Sequence, residues 1–209
     1  TARYKFNNHV LFFFCFKLVD QMLTKGFGKK DVVVLTSGDV ASIRLRINRP
    51  DITILYGHRD NRATLESVFA ERASEIYIVG EDPYDEEYDT RNIACWNIVR
   101  DLCKDRKKDR KKDRNKIPCY LMLEHTLSAQ IFYLSDILTD PGLDTVLINN
   151  QEVVAQKILV HNRDAQNQIP TLDRDGIGPD DCRTVHLVLY GMTSFSQAFA
   201  ITAAHICHF

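Results

Sequence analysis

The chain has 209 residues, of which 44% are apolar, and a formal net charge of −1. This length and apolar content are enough for the core of one full domain, which excludes a disordered or fibrous protein. No apolar run approaches the ~20 residues of a membrane-spanning helix, and no signal peptide is recognisable. The six cysteines form no C-x-x-C pair and predict free thiols in a reducing compartment. Because the chain starts at Thr1 and stops inside an apolar helical pattern at Phe209, we expect it to be part of a larger protein.

Short apolar runs alternate along the chain with longer segments of helical periodicity. The runs are continuously apolar, as in strands that helices cover on both faces. Strands are predicted at residues 10–16, 31–35, 52–56, 75–79, 117–123 and 145–148. Helices are predicted at 17–27, 39–48, 61–73, 89–107, 128–138 and 151–161, with Asn61 and Asp89-Thr90 at helix starts.

Six strand–helix units predict a doubly wound, mostly parallel α/β domain of the Rossmann type over residues 1–162. Its ligand crevice is expected at the carboxyl ends of the strands, beside the point where strand order reverses. Residues 163–183 are rich in Asp, Asn, Gln, Pro and Gly and are typical of a linker. The pattern then restarts, and residues 184–209 are predicted to be the first strand–helix unit of a second, truncated copy.

The turn after the first strand departs from the dinucleotide-binding pattern G-x-G-x-x-G. Those glycines allow a tight turn and a close approach of the backbone to a pyrophosphate. Here Phe14, Phe16 and Val19 stand at the three positions. Their bulk predicts a structural first strand without NAD bound on it.

Other crevice positions keep small polar groups. Where a ribose-binding acid would end the second strand, the chain has Thr36 and Ser37. In the second copy Gly191 stands at the first glycine position and Thr193 and Ser196 at the other two, with Ser194 between them as a further candidate. Small hydroxyl residues at a helix start either bind an anion or serve as ordinary caps, so both interpretations remain open there.

The loop "GEDPYDEEYD" at residues 80–89 places six carboxylates after the fourth strand, at the edge where ligands bind. Gly80 and Glu81 are therefore candidate ligand-binding residues. Such a loop suits a divalent cation, for which Glu81, Asp82, Asp85 and Glu86 are the candidate ligands. The alternative is a solvated acidic loop, because the spacing matches no EF-hand.

The most charged segment, residues 104–116, holds nine basic residues and three aspartates, so it carries +6 and the rest of the chain −7. Its four-residue period favours either a solvated helix or a disordered loop. No aromatic residue is interleaved in it, so we predict no nucleic-acid partner. No P-loop, G-x-S-x-G elbow or tuned acid–base pair is found either, and we expect no catalytic residues.

The order of "NHVLFFF", "DVVVLTS", "ITILYGHRDNRATLESVFAERASEIYIVGEDPYDEEYDTRN" and "VHLVLYGM" resembles the regulator-of-potassium-conductance (RCK), or TrkA-N, domains of bacterial potassium channels and transporters. Residues 52–92 carry the most specific part of the likeness. The resemblance implies a cytoplasmic Rossmann-type module that pairs with another copy and binds a nucleotide or cation. It also implies a membrane pore domain in the parent protein.

Carried over position by position, the family's pyrophosphate turn falls on Phe14, Phe16 and Val19. The acid that binds the ribose falls on Thr36 or Ser37. The acid that follows the third-strand glycine falls on His58. The leading hypothesis is thus a regulatory, ligand-sensing and non-enzymatic domain of an ion-transport protein. One alternative is a fragment of a Rossmann-fold NAD-dependent oxidoreductase that would use Gly191. The other is a purely structural dimerisation domain.

Overall fold

A computed structural model describes residues 9–13, 32–47, 49–108, 116–135, 142–160, 180, 182–184 and 186–206. The strands are β1 (Val10–Phe13), β2 (Val32–Thr36), β3 (Ile52–Tyr56), β4 (Glu75–Ile78), β5 (Ile117–Met122) and β6 (Leu143–Ile148). The helices are α1 (Val40–Ile47), α2 (Arg62–Ser67), α3 (Tyr88–Lys108), α4 (Thr126–Leu134), α5 (Asn150–Val160) and α6 (Ser194–Ile206), with a 3₁₀ turn at Ala70–Arg72. Within the described ranges, none of these helices combines the length and apolar character of a membrane span.

The six strands form one parallel sheet in the order β3-β2-β1-β4-β5-β6. Val10 of β1 pairs with Val32 of β2 on one side and with Glu75 of β4 on the other. The chain therefore moves outward from β1 in one direction and then outward from β4 in the other. The reversal between β1 and β4 is the switch point at which ligands bind in such sheets. The predicted doubly wound Rossmann-type fold is confirmed.

The sheet has a buried core on each face. On one face Leu11, Ile76 and Leu121 pack with Leu65 of α2 and Trp96 of α3. The Trp96 indole N–H donates to Thr145 Oγ1 at 3.0 Å, which fixes α3 against β6. On the other face, the core includes β1, β2 and β3 residues together with Ile43 and Ile47 of α1. Both faces are thus apolar, as the continuous strand runs predicted.

One helix start and one helix length differ from their predictions in detail. Asn61 caps α2 as predicted, because its side chain accepts from the Thr64 amide at 3.2 Å. The predicted helix 61–73 breaks at Phe69, whose φ of 51° is left-handed, and continues only as the 3₁₀ turn. Asp89 does not cap α3, which starts at Tyr88, but binds a different loop instead.

The C-terminal segment departs further from its prediction. Residues 186–190 form no strand, and Val188 and Tyr190 are 87% and 102% exposed. A strand needs a neighbour for its backbone hydrogen bonds, and none lies beside this segment in the described residues. The predicted helix is present as α6, and it packs on α5 of the same chain, where Phe199 meets Ala155 and Leu159.

Several predictions fall outside the described residues. They concern the turn positions Phe14, Phe16 and Val19, the helix 17–27, residues 109–115 of the charged segment, and nearly all of the linker 163–183.

Candidate functional site

The carboxyl edge of the sheet is organised around Glu81, the second residue of the acidic loop after β4. Its Oε1 accepts from the Ser37 amide at 2.6 Å and from Thr36 Oγ1 at 2.8 Å. Its Oε2 accepts from Ser37 Oγ at 3.0 Å. Thr36 Oγ1 in turn accepts from the Gly38 amide at 2.9 Å. The donors at the end of β2 are thus already bound to a carboxylate from the chain itself.

This contact crosses the switch point. β1 lies between β2 and β4, so the Glu81 side chain passes over the carboxyl end of β1 to reach Ser37. In a dinucleotide-binding fold an acid at the end of the second strand holds the ribose. Here Glu81 delivers a carboxylate to that place from a different strand, a contact that spans 44 residues and has no local sequence signal.

Side chains closely surround the backbone of Gly80, the residue immediately before Glu81. Its amide donates to Tyr88 Oη at 3.1 Å, and Tyr88 is only 1% exposed. A Cβ at Gly80 would lie 2.4 Å from the Tyr88 ring and 2.9 Å from Arg59 Nη2. The position therefore needs glycine because the Tyr88 ring and the Arg59 guanidinium approach the backbone there.

Arg59 is the crevice residue that sequence analysis missed. It reaches Gly80 from the loop after β3, and within the described residues its guanidinium makes no hydrogen bond or ion pair, with Nε buried. The neighbouring His58, which the sequence singled out, is exposed, and its ring lies edge-on to Tyr56 at 5.9 Å. An unpaired guanidinium beside a glycine corner is suited to binding an anionic group.

The acidic loop uses several of its carboxylates to shape itself. Asp82 Oδ1 accepts from the Tyr84 amide at 2.9 Å, and Asp85 Oδ1 accepts from the Glu87 amide at 3.0 Å. Arg91 lies 3.5 Å from Asp85 and binds Glu87 at 2.6 Å. Across the described part of the chain, no three metal-ligating side chains are grouped to hold an ion. The cation site at Glu81, Asp82, Asp85 and Glu86 therefore stays a prediction.

A second group of polar residues joins α3 to the loop after β5. The Asp89 carboxylate, 5% exposed, accepts from the Glu124 amide at 2.8 Å and from the His125 amide at 3.0 Å. His125 Nδ1 also lies 3.0 Å from Asp89 Oδ2. Burial, and secondarily the Asp89 charge, raises the pKa of Glu124, while His125 opposes that rise. Residues 35 positions apart form this group, so no local sequence pattern indicates it.

No protein-family model and no curated protein matches this sequence. Among solved structures, the chain is similar to the RCK domain of GsuK, with a TM-score of 0.53, 13% identity, and coverage of 75% of this chain and 29% of that one. GsuK bound to ADP gives a TM-score of 0.52 at 13% identity, covering 95% and 51%. The GsuK channel bound to NAD gives 0.52 at 14% identity, covering 75% and 24%.

This chain has the RCK-type Rossmann fold. The resemblance inferred from the sequence is thereby confirmed for the fold, which is what similarity at such low identity establishes. The chain spans between 24% and 51% of the length of these GsuK chains.

The RCK-type fold separates the predicted site residues into two places. Thr36, Ser37, Gly80 and Glu81 meet at the switch-point crevice. Gly191 and Ser194 lie instead at the start of α6, where Gly191 has a φ of +85° in open space. Ser194 lines a separate cavity between the acidic loop, the end of β5 and the amino ends of α5 and α6.

Proposed function

We propose that this chain is a regulatory, ligand-sensing domain of a bacterial potassium channel or related ion-transport protein. It would act on the cytoplasmic side, as a non-enzymatic module attached to a membrane pore domain. The RCK-type fold supports this proposal, since GsuK is a channel with an RCK domain whose structures include complexes with NAD and with ADP. The observation that carries it is the Glu81 bridge across the switch point, beside an unpaired Arg59.

The bridge provides a way for a ligand to change the domain. A phosphate-bearing ligand that pairs with Arg59 would compete with Glu81 for the Ser37 amide and the two hydroxyls. Release of Glu81 frees the start of the acidic loop, while Asp85, Glu87 and Asp89 still hold its other end at α3. A ligand with different affinities for the bridged and released states shifts the balance between them, which is the requirement for regulation.

The ligand proposed for the crevice is a mononucleotide such as ADP rather than NAD. The bulk of Phe14, Phe16 and Val19 at the glycine positions favours a smaller ligand than NAD, and ADP carries no second nucleoside on its diphosphate. The Glu81 bridge has to open for either nucleotide, so the size of the ligand is what distinguishes the two.

Calorimetric titration of the chain with ADP and with NAD tests this function. We expect saturable ADP binding, NAD binding at least tenfold weaker, and no turnover of either. Arg59→Gln should weaken ADP at least tenfold, whereas Arg62→Gln, the same change on the exposed surface of α2, should leave it unchanged. Glu81→Gln should tighten ADP severalfold, because the neutral amide competes less well for the Ser37 amide. Tight NAD binding would disprove the blocked crevice, and no binding of ADP would disprove nucleotide sensing there.

A structural pairing role is the second candidate, and one surface favours it. Leu127, Ile131 and Leu134 form an apolar stripe along the outer side of α4 and are 66%, 70% and 88% exposed. Their i, i+4, i+7 spacing is that of a helix face that packs on a partner. We propose that this stripe pairs two copies of the domain.

A further inference from the structure

The cavity that Ser194 lines is distinct from the switch-point crevice. It has a volume of about 590 Å³ and lies between Pro83–Glu86, Glu124–His125, the first turns of α5 and the residues that begin α6. None of the crevice residues Thr36, Ser37, Arg59 and Glu81 lines it. It therefore offers a second place at which a ligand could bind.

Glu124 is the group in this cavity that lacks a partner. The residue is only 8% exposed, and its backbone is fixed by the bonds to Asp89 and by the Asn149 side-chain amide, which donates to its carbonyl at 3.2 Å. Within the described residues, its carboxyl oxygens make no hydrogen bond or ion pair. Glu124 is thus largely buried while its carboxyl oxygens stay accessible from the cavity, so they can pair with a cation that enters it.

Several other groups around the cavity are also hydrogen-bond acceptors or carboxylates. Gln151 Oε1 is buried without a hydrogen-bond partner. Asp85 and Glu86 add negative charge, Asp85 being partly offset by Arg91, and no lysine or arginine lines the described walls. The amino ends of α5 and α6 are already capped, by Asn149 Oδ1 on the Glu152 amide and by Thr193 Oγ1 on the Ser196 amide. These features disfavour an anionic ligand and favour a ligand that carries a hydrogen-bond donor.

The walls also fit the carbon part of such a ligand. Val154 and Phe195 are 39% and 37% exposed on the side of α5 and α6. The volume far exceeds the coordination shell of one metal ion, and the described residues group no three metal-ligating side chains. An organic cation fits these walls better than a bare metal ion does.

We propose that this cavity binds a small organic cation whose ammonium or guanidinium group pairs with Glu124. The hydrocarbon part of the ligand would lie against Val154 and Phe195. Because one wall is the first turn of α6, occupancy would tie α6 to the end of β5. The site is independent of the nucleotide crevice and of the function proposed for it.

Calorimetry with agmatine and with 1,4-diaminobutane tests the site, with 1,4-butanediol as the neutral probe and Mg²⁺ and Ca²⁺ as metal probes. We expect saturable binding of at least one amine and none of the diol. Glu124→Gln should weaken the amine at least tenfold, whereas Asp144→Asn, an exposed acid on β6, should leave it unchanged. If Glu124→Gln fails to fold, Phe195→Ala should still weaken binding severalfold, because it removes part of the apolar wall.

Three outcomes would overturn the proposal: binding of metal ions without any amine, equal binding by folded Glu124→Gln, or no binding at all. ADP affinity in Glu124→Gln separates this site from the crevice. It should equal that of the natural chain even when amine binding is lost.

Discussion

Glu81 and Arg59 are the two residues whose partners decide what the crevice does. Glu81 is exposed and held by one backbone amide and two hydroxyls, all of which water or a ligand oxygen can satisfy. Exposed charge-assisted bonds of this kind contribute little net stability, so exchange for a ligand has a small cost. Within the described residues, the Arg59 guanidinium makes no hydrogen bond or ion pair that a ligand would have to break. The pair is therefore suited to reversible binding more than to holding the fold together.

At the residue scale, Gly80→Ala should destabilise the fold. The new methyl group would meet the buried Tyr88 ring at 2.4 Å, and overpacking of this kind costs about 1–3 kcal/mol. Gly38→Ala is the matched control, because the nearest atom to its Cβ is 3.4 Å away. Urea unfolding followed by circular dichroism measures both. Equal stability of the two variants would show that the Gly80 corner is looser than described.

Glu124→Gln should change how stability depends on pH. A carboxyl whose pKa is raised by folding holds its proton more tightly when folded, so stability falls as the pH rises through the ordinary glutamate pKa of about 4.3 and toward the folded value. The neutral amide removes that loss, so the variant should be the more stable protein at pH 7 and no more stable at pH 4. Glu152, whose pKa burial also raises, leaves part of the slope in place. Melting curves across this range measure the effect, and parallel curves would contradict it.

At the element scale, α3 and α6 show how distant segments meet at the carboxyl edge. α3 presents Asp89 from its first turn to the loop before α4, and that carboxylate satisfies two amides that would otherwise be buried without partners. α6 follows the long segment predicted as a linker and returns to pack on α5. The walls of the cavity near Glu124 depend on both contacts.

Phe199→Ala should release α6 from the domain without unfolding the sheet. Phe199 is 7% exposed against Ala155 and Leu159, and truncation of a buried phenylalanine costs about 3 kcal/mol or more. Hydrogen exchange should become faster throughout Ser194–Ile206 and stay unchanged in β1, β4 and β5. Ile206→Ala, at a position 38% exposed, is the control for a small local effect. Unchanged protection of α6 in Phe199→Ala would contradict this packing.

Sequence patterns predicted the elements well because the inner strands β1, β2 and β4 are largely buried on both faces and several helices have local start signals. Ile52–Tyr56 was predicted to the residue, and the Asn61 cap is a contact over three positions. The strand predicted at the start of the second copy is absent from the described residues. An apolar run does not indicate whether a neighbouring strand is present to pair with it. The crevice contacts of Glu81 and Arg59 could not be predicted either, since they depend on which strand ends lie side by side.

At the scale of the whole molecule, the exposed apolar surface bears on assembly. The α4 stripe shares no residue with the crevice, so we expect pairing through it to leave Glu81 and Arg59 open to a ligand. A two-fold pair would place the same stripe on both copies, which is the commonest arrangement of dimers. Pairing and ligand sensing are therefore compatible in one assembly.

Light scattering on the chain at tens of micromolar should give the mass of a dimer. The double change Leu127→Glu and Ile131→Glu should give a monomer with an unchanged circular dichroism spectrum, because like charges would face each other across the interface. Leu45→Glu, on the exposed side of α1 at 82% exposure, should remain a dimer. A monomeric natural chain would contradict pairing through α4.

The proposed sensing depends on displacement of Glu81 from the end of β2 by a nucleotide. An amide NMR titration with ADP observes that step directly, because the Ser37 amide donates to Glu81 at 2.6 Å. We predict saturable shifts of the Ser37 and Gly80 amides, while the Glu124 and His125 amides stay in place. Saturable shifts that bypass Ser37 and Gly80, or no shifts at millimolar ADP, would contradict the account.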